Sequence, residues 1–214
     1  MDSPRVHGVL ANLPNWLTVA RLLATPLLVF LLHDPSPWMV LASVVIFIAA
    51  AVTDLLDGYI ARRWRVVSDF GSLIDPLADK LLVMTALIML VALRDDVTGG
   101  SWAPAWMVVV ILAREIWVTG LRGIAAADGI ILAADTLGKW KSLLQMIAIP
   151  LLLLHDLTVT MKELVITGRF LGILLLALSL VLSLWSGIAY SVEVFARRGS
   201  RRVGPGHKGS LGDG

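Results

Sequence analysis

Six long apolar stretches, divided by short polar breaks, constrain this chain more than any other feature. They cover residues 16–32, 38–62, 72–93, 104–126, 138–154 and 169–196. A helix needs about 20 mostly apolar residues to cross a hydrocarbon core of about 30 Å. In lipid, a spanning segment must satisfy its own backbone polar groups, which helices do. The expectation is an all-α, polytopic membrane protein with six transmembrane helices. One membrane domain would occupy 1–198, and 199–214 would form a flexible basic tail. Breaks at 33–37 (HDPSP), 94–100 (RDDVTGG) and Asp128-Gly129 carry turn chemistry. With 57% apolar and 16% charged residues, the chain sits well below the roughly 25% charge of a soluble domain. The absence of cysteine excludes disulfides, thiolate ligands and a cysteine nucleophile. Residues 1–14 do not resemble a cleavable leader, because charges and prolines interrupt them. No repeat with a period of about 20–50 residues is visible. The formal charge of +2 comes partly from the tail and does not point to nucleic acid.

Lysine and arginine set the expected orientation. Arg62, Arg63 and Arg65 follow the second stretch, Arg122, Lys139 and Lys141 flank the next connection of the same parity, and Arg197, Arg198, Arg201 and Arg202 follow the sixth. The opposite connections hold Arg94, Lys162 and Arg169, offset by Asp95, Asp96, Asp156 and Glu163. The positive-inside rule then places both termini in the cytoplasm of a multi-pass cell-membrane protein. Trp16, Trp38 and Trp102 stand at predicted span ends and read as interfacial anchors. The four histidines are scattered and form no site.

Against this apolar background, Asp54, Asp57, Asp75 and Asp79 demand an explanation. An aspartate near the bilayer centre costs about 2.5–3.5 kcal/mol even on lenient scales. Positions i, i+3, i+4 and i+7 share one helix face. Asp54, Asp57, Gly58 and Ala61 therefore line one stripe at the cytoplasmic end of the second span, with Arg62 beside it. Gly71, Asp75 and Asp79 line a stripe at the start of the third. Pro76 is tolerated there in the first turn. A reversal over residues 62–70 can bring the stripes together. Four hard oxygen donors in a small volume call for two divalent cations, Mg²⁺ or Mn²⁺. Such a pair clamps the attacking and leaving oxygens of a phosphoryl displacement. Gly58, Ala61 and Gly71 clear room for a nucleotide, and Arg62 can pair a phosphate. Buried ion pairs with Arg62, Arg63 and Lys80 would explain neither the small residues nor the carboxylate spacing. A cation-coupled transporter would spread its acids through mid-span positions instead of gathering them on one hairpin.

The run Asp54-x₂-Asp57-Gly58-x₂-Ala61-Arg62-x₈-Gly71-x₃-Asp75-x₃-Asp79 resembles, at every position, the signature of the CDP-alcohol phosphatidyltransferases. The resemblance implies a six-helix, dimeric membrane enzyme with a dinuclear metal site held by Asp54, Asp57, Asp75 and Asp79. Such an enzyme moves a phosphatidyl group from a CDP-lipid to an alcohol and releases CMP. The opening segment 12–21 (NLPNWLTVAR) is similar to that of the bacterial phosphatidylglycerophosphate synthase branch. So are 70–80 (FGSLIDPLADK), Arg114-Glu115 with 119–122 (TGLR), and 138–145 (GKWKSLLQ). Ile74 departs harmlessly from the commoner leucine. That branch implies CDP-diacylglycerol and glycerol 3-phosphate as substrates. The cardiolipin synthases of the same family, with phosphatidylglycerol as acceptor, are the alternative.

A phosphomonoester acceptor carries nearly two negative charges, so its site needs cations. Arg114, Arg122, Lys139 and Lys141 stand near the cytoplasmic level of the aspartates. Arg114 lies about 12 Å deeper than Arg122 at about 1.5 Å per residue; it fits either an acceptor contact or a structural pair with Glu115. Lys139 and Lys141 fit acceptor binding better than anchoring to anionic lipid. Asn15, Thr18 and Arg21 are assigned to the nucleotide side, although Thr18 could instead bond a preceding carbonyl of its helix. Ser68, in the reversal, joins the binding candidates. Asp79, nearest the acceptor cations, is the expected general base, a role its like-charged neighbours or a metal must support.

Overall fold

A computed structural model describes the backbone of residues 4–64, 69–95, 99–130, 136–156, 158–161 and 164–202, and the side chains of these except 4–17, 54–79, 136–138, 158–166 and 200–202. Its six helices are α1 (Pro4–Leu31), α2 (Pro37–Trp64), α3 (Asp69–Ala92), α4 (Ala105–Ala127), α5 (Thr136–Leu153) and α6 (Gly168–Arg202). Each holds one of the six apolar stretches. Two helices run past their apolar stretches: α1 begins at Pro4, well before the first, and α6 ends at Arg202, beyond the sixth. The all-α class holds, with one short addition. Strands β1 (Thr158–Met161) and β2 (Leu164–Thr167) pair antiparallel in the α5–α6 connection. Both are rich in β-branched residues, whose stiff side chains suit a pleated ribbon.

Helix packing departs from chain order, since α1 and α4 each lie against the helix two places on. α1 lies against α2 and α3, α4 against α6, and α5 against α6 most extensively. The apolar core gathers at one end of the bundle. It takes Leu28 and Leu32 from the end of α1 and just beyond it, and Val44 and Phe47 from the first half of α2. Leu87 and Leu90 come from the end of α3, Ile111 from the first half of α4, Ile149 and Leu152 from the end of α5, and Leu176 from the first half of α6. The other end is polar inside: Thr18, Arg21, Arg114, Lys141, Gln145, Ser179, Ser183 and Ser186 are all buried. Outward faces show the reverse, with Phe30, Trp38, Val109, Ile116, Trp185 and Ile188 exposed. Apolar outside with charged and polar groups inside inverts the rule for water-soluble proteins. It is the distribution expected where lipid is the solvent, since intramembrane charges face the bundle interior. Among the described residues one helix segment, Gly168–Gly199, is long and apolar enough by itself to cross a membrane. Thr18–Leu31, Pro37–Thr53 and Lys80–Ala92 are shorter apolar helices.

Turn chemistry fixes the ends that matter. The carbonyls of Ala126 and Ala125 accept the N–H groups of Gly129 (3.0 Å) and Ile130 (2.8 Å), while Gly129 takes φ 64°. This is a Schellman closure of α4, and Ile130 then packs with Ala125 and Val194 of α6. Arg198 clamps the same corner through Asp128 at 2.5 Å. At the opposite end, Arg169 reaches Asp95 (3.3 Å) and the Ser101 carbonyl (3.1 Å). Trp102 corrects an expectation. It is buried, and its ring lies 4.1 Å from that of His155 at 38°. Trp38 is exposed, as an anchor would be, and the Trp16 side chain lies outside the described residues.

Candidate active site

The backbone places Asp54 and Asp57 in the last part of α2, and Asp75 and Asp79 in the first part of α3. Spacings of three and four residues put each pair on one face of its helix. Gly58, Ala61 and Arg62 continue along α2, and Gly71 precedes the α3 pair. The side chains of all these residues lie outside the described set, as do the Asn15 side chain and Ser68 altogether. α1 packs on both aspartate-bearing helices, and Thr18 and Arg21 are buried on it.

The four candidate cations divide into two pairs. Arg122 and Lys139 are exposed, at the end of α4 and the start of α5, and the Arg122 guanidinium lies 5.6 Å from the centre of the Tyr190 ring. Arg114 and Lys141 are buried and meet on one carboxylate. Glu115 Oε1 accepts from Arg114 Nη1 at 2.8 Å and from the Lys141 ammonium. Arg114 spends its other donors on α6: Nε reaches the Ser183 carbonyl at 2.7 Å and Nη2 reaches Ser186 Oγ at 3.0 Å. Ser179 Oγ donates to the Lys141 carbonyl at 3.1 Å. One turn beyond Glu115, Thr119 Oγ1 donates to the Glu115 carbonyl (2.7 Å) and accepts from Lys80 Nζ (2.5 Å). Lys80 directly follows Asp79, so hydrogen bonds link the aspartate end of α3 to α4, and through Glu115 to α5 and α6.

Several of these partners were absent from the sequence reading. Ser179, Ser183 and Ser186 form an i, i+4, i+7 stripe in an otherwise apolar helix, a signal that was available. Small residues on such a stripe let neighbouring helices approach closely. Gly187 continues that close approach: a Cβ there would lie 3.0 Å from Arg114 Nε. A cavity of about 80 Å³ opens beside Glu115, lined also by Lys80, Ser142 and Gln145. Gln145 Nε2 is buried in it with no hydrogen-bond partner among the described residues.

Comparison with known proteins adds to this geometry. A sequence model of the CDP-alcohol phosphatidyltransferase family matches residues 11–185. The chain is 44% identical over 158 residues to a Bacillus subtilis protein named CDP-diacylglycerol–glycerol-3-phosphate 3-phosphatidyltransferase; the match covers 68% of this chain and 78% of that protein. A Rickettsia bellii protein of the same name is 41% identical over 143 residues, covering 67% and 75%. A rice protein named cardiolipin synthase (CMP-forming) is 36% identical over 213 residues, covering 90% of this chain and 64% of that protein.

Proposed function

The chain belongs to the CDP-alcohol phosphatidyltransferase family, and we propose that it transfers the phosphatidyl group of CDP-diacylglycerol to glycerol 3-phosphate. The products are phosphatidylglycerol phosphate and CMP. The observation that carries this choice of acceptor is the placement of Arg122 near the end of α4 and of Lys139 and Lys141 at the start of α5, with Arg114 linked to Lys141 through Glu115. An acceptor with a phosphate needs such a set, whereas a neutral alcohol does not. The names carried by the bacterial relatives agree with this reading.

The donor chemistry of Asp54, Asp57, Asp75 and Asp79 fits two divalent cations, Mg²⁺ or Mn²⁺, since all four offer hard oxygens on paired helical turns. Bound there, the ions supply charge stabilisation at the pyrophosphate. The remaining work belongs to the chain. Gly58, Ala61 and Gly71 keep bulk away from the nucleotide, while Asn15, Thr18, Arg21, Arg62 and Ser68 hold it. Arg122, Lys139 and Lys141 bind the acceptor phosphate, and Arg114 braces them from below. Asp79 accepts the proton of the sn-1 hydroxyl as its oxygen bonds to the lipid-side phosphorus. The bond from that phosphorus to the CMP oxygen breaks, and CMP leaves. The protein is read as a homodimer in the cell membrane, with six spans, both termini cytoplasmic and the site near the cytoplasmic side. Apolar outward faces support the membrane location.

CMP release from CDP-diacylglycerol by the purified protein, measured side by side with several acceptors, tests the reading. Losing charge-assisted contacts should cost several kcal/mol, so kcat/KM for glycerol should fall about a hundredfold or more below that for glycerol 3-phosphate. Inositol and serine should be used hardly at all. Faster turnover with phosphatidylglycerol would move the protein to the cardiolipin synthases.

A further inference from the structure

Glu115 is the only acidic residue of α4, and its environment is lopsided. Arg114 and Lys141 share its Oε1, and Lys80 lines the cavity beside it. One carboxylate oxygen shared by two cations cannot neutralise both. What it can do is fix geometry. A lysine ammonium is a point charge on a flexible stem, whereas a guanidinium is a planar, preorganised fork. Arg114 is held by two bonds to α6, at 2.7 Å to the Ser183 carbonyl and 3.0 Å to Ser186 Oγ. It holds Glu115 at 2.8 Å, and Glu115 in turn holds Lys141. Ser179 ties down the backbone at Lys141. Constraint therefore passes from α6 through Arg114 and Glu115 to one ammonium. That ammonium has three donors, and Glu115 Oε1 takes one of them.

We propose that Glu115 is a positioning residue for acceptor binding: it aims the Lys141 ammonium so that its remaining donors meet the acceptor's phosphate. This rests on glycerol 3-phosphate being the acceptor. The neighbouring cavity of about 80 Å³ is large enough to hold water. Gln145 Nε2, buried without a hydrogen-bond partner among the described residues, supplies a donor for such a water. The carboxylate is thus fastened by arginine and lysine together.

The test uses full-length protein in lipid nanodiscs, with initial CMP-release rates measured while each substrate is varied separately. Misplacing a binding group by about 1 Å can cost about a hundredfold, and a pure binding contact shows in KM. Glu115→Gln should therefore raise KM for glycerol 3-phosphate on the order of ten- to a hundredfold. KM for CDP-diacylglycerol should stay within about twofold, because the donor is bound elsewhere. Lys141→Met should give a similar acceptor defect. The double variant should be no worse than Lys141→Met alone, since Glu115 acts through that lysine. If Glu115→Gln fails to fold, the same cycle is run with Glu115→Asp, which keeps the charge but shortens the reach. Additive defects, or equal rises in both KM values, overturn the positioning role. A wild-type protein that releases no CMP with glycerol 3-phosphate refutes the proposed acceptor instead, and the two failures are distinct.

Discussion

A single methyl group at position 187 probes the clamp beneath the site. Gly187 lies inside α6, and an added Cβ would fall 3.0 Å from Arg114 Nε, 3.3 Å from its Cγ and 3.6 Å from Val118 Cγ2. The last distance is an ordinary contact; the first two are a few tenths of an ångström too close. A free arginine tip would swing aside at little cost. This one is tied by Nε to the Ser183 carbonyl at 2.7 Å and by Nη2 to Ser186 Oγ at 3.0 Å. Either the overlap persists, costing about 1–3 kcal/mol as overpacking does, or the guanidinium shifts and weakens a charged hydrogen bond of about 1.5–3 kcal/mol. Both routes cost about the same. Alanine recovers about 1 kcal/mol of helix propensity, so Gly187→Ala should end about 0–2 kcal/mol less stable than the parent. Gly120→Ala is the control, because Gly120 lies within α4 with nothing within 4 Å of its added Cβ. It should gain the propensity alone, about 0.5–1 kcal/mol. The difference between the two variants cancels propensity and isolates the clamp, at about 1–3 kcal/mol. Equilibrium unfolding in mixed micelles, followed by circular dichroism, measures it. If Gly187→Ala stabilises as much as Gly120→Ala, Arg114 is not clamped and the chain of constraint to Lys141 fails at its first link.

Two further outcomes follow from the proposed site. Asp57→Asn should abolish CMP release without unfolding the protein, and EDTA should do so reversibly with Mg²⁺ or Mn²⁺ restoring it; substantial activity in the Asp57→Asn protein would rule out the dinuclear site. Lys139→Ala should raise KM for glycerol 3-phosphate by about tenfold or more, the loss of one charge-assisted bond of about 1.5–3 kcal/mol, while Arg62→Ala should chiefly weaken CDP-diacylglycerol binding; acceptor kinetics unchanged in Lys139→Ala would show the cationic pocket misplaced.

Much of the helical framework was legible because apolar runs and their breaks are local signals. The Asp128-Gly129 break became the Schellman end of α4, for the reason turn chemistry gives. The β-branched runs around 158–167 carry a strand signal too, but a short one beside six longer helical patterns. Trp102 was misread because an amphipathic ring at a span end fits both an interface and a packed corner. Only the arrival of His155 from the end of α5, at 4.1 Å, decides between them. Glu115 shows the same limit at the site. Its pairing with adjacent Arg114 could be read from the sequence, whereas the partner Lys141 lies 26 positions away. That contact exists because α4 and α5 both present their polar face to α6, a tertiary fact.

The split between the bundle's two ends explains why such charges can be kept inside. An unpaired buried charge is costly, and replacing an ion pair by apolar residues is often neutral or stabilising. A bundle polar throughout would therefore gain little from its own interior. Here the far half is closed by Leu28, Phe47, Leu87, Ile111, Ile149, Leu152 and Leu176, and the α3–α4 connection is tied to the start of α6 by Arg169 and Asp95. With the helices already fixed at that end, the near half is free to hold groups chosen for chemistry. Arg114 and Glu115 are bonded to each other, and beyond that to α6 and Lys141. Arg122 and Lys139 remain exposed at the end of α4 and the start of α5, where the proposed acceptor site has them bind its anion.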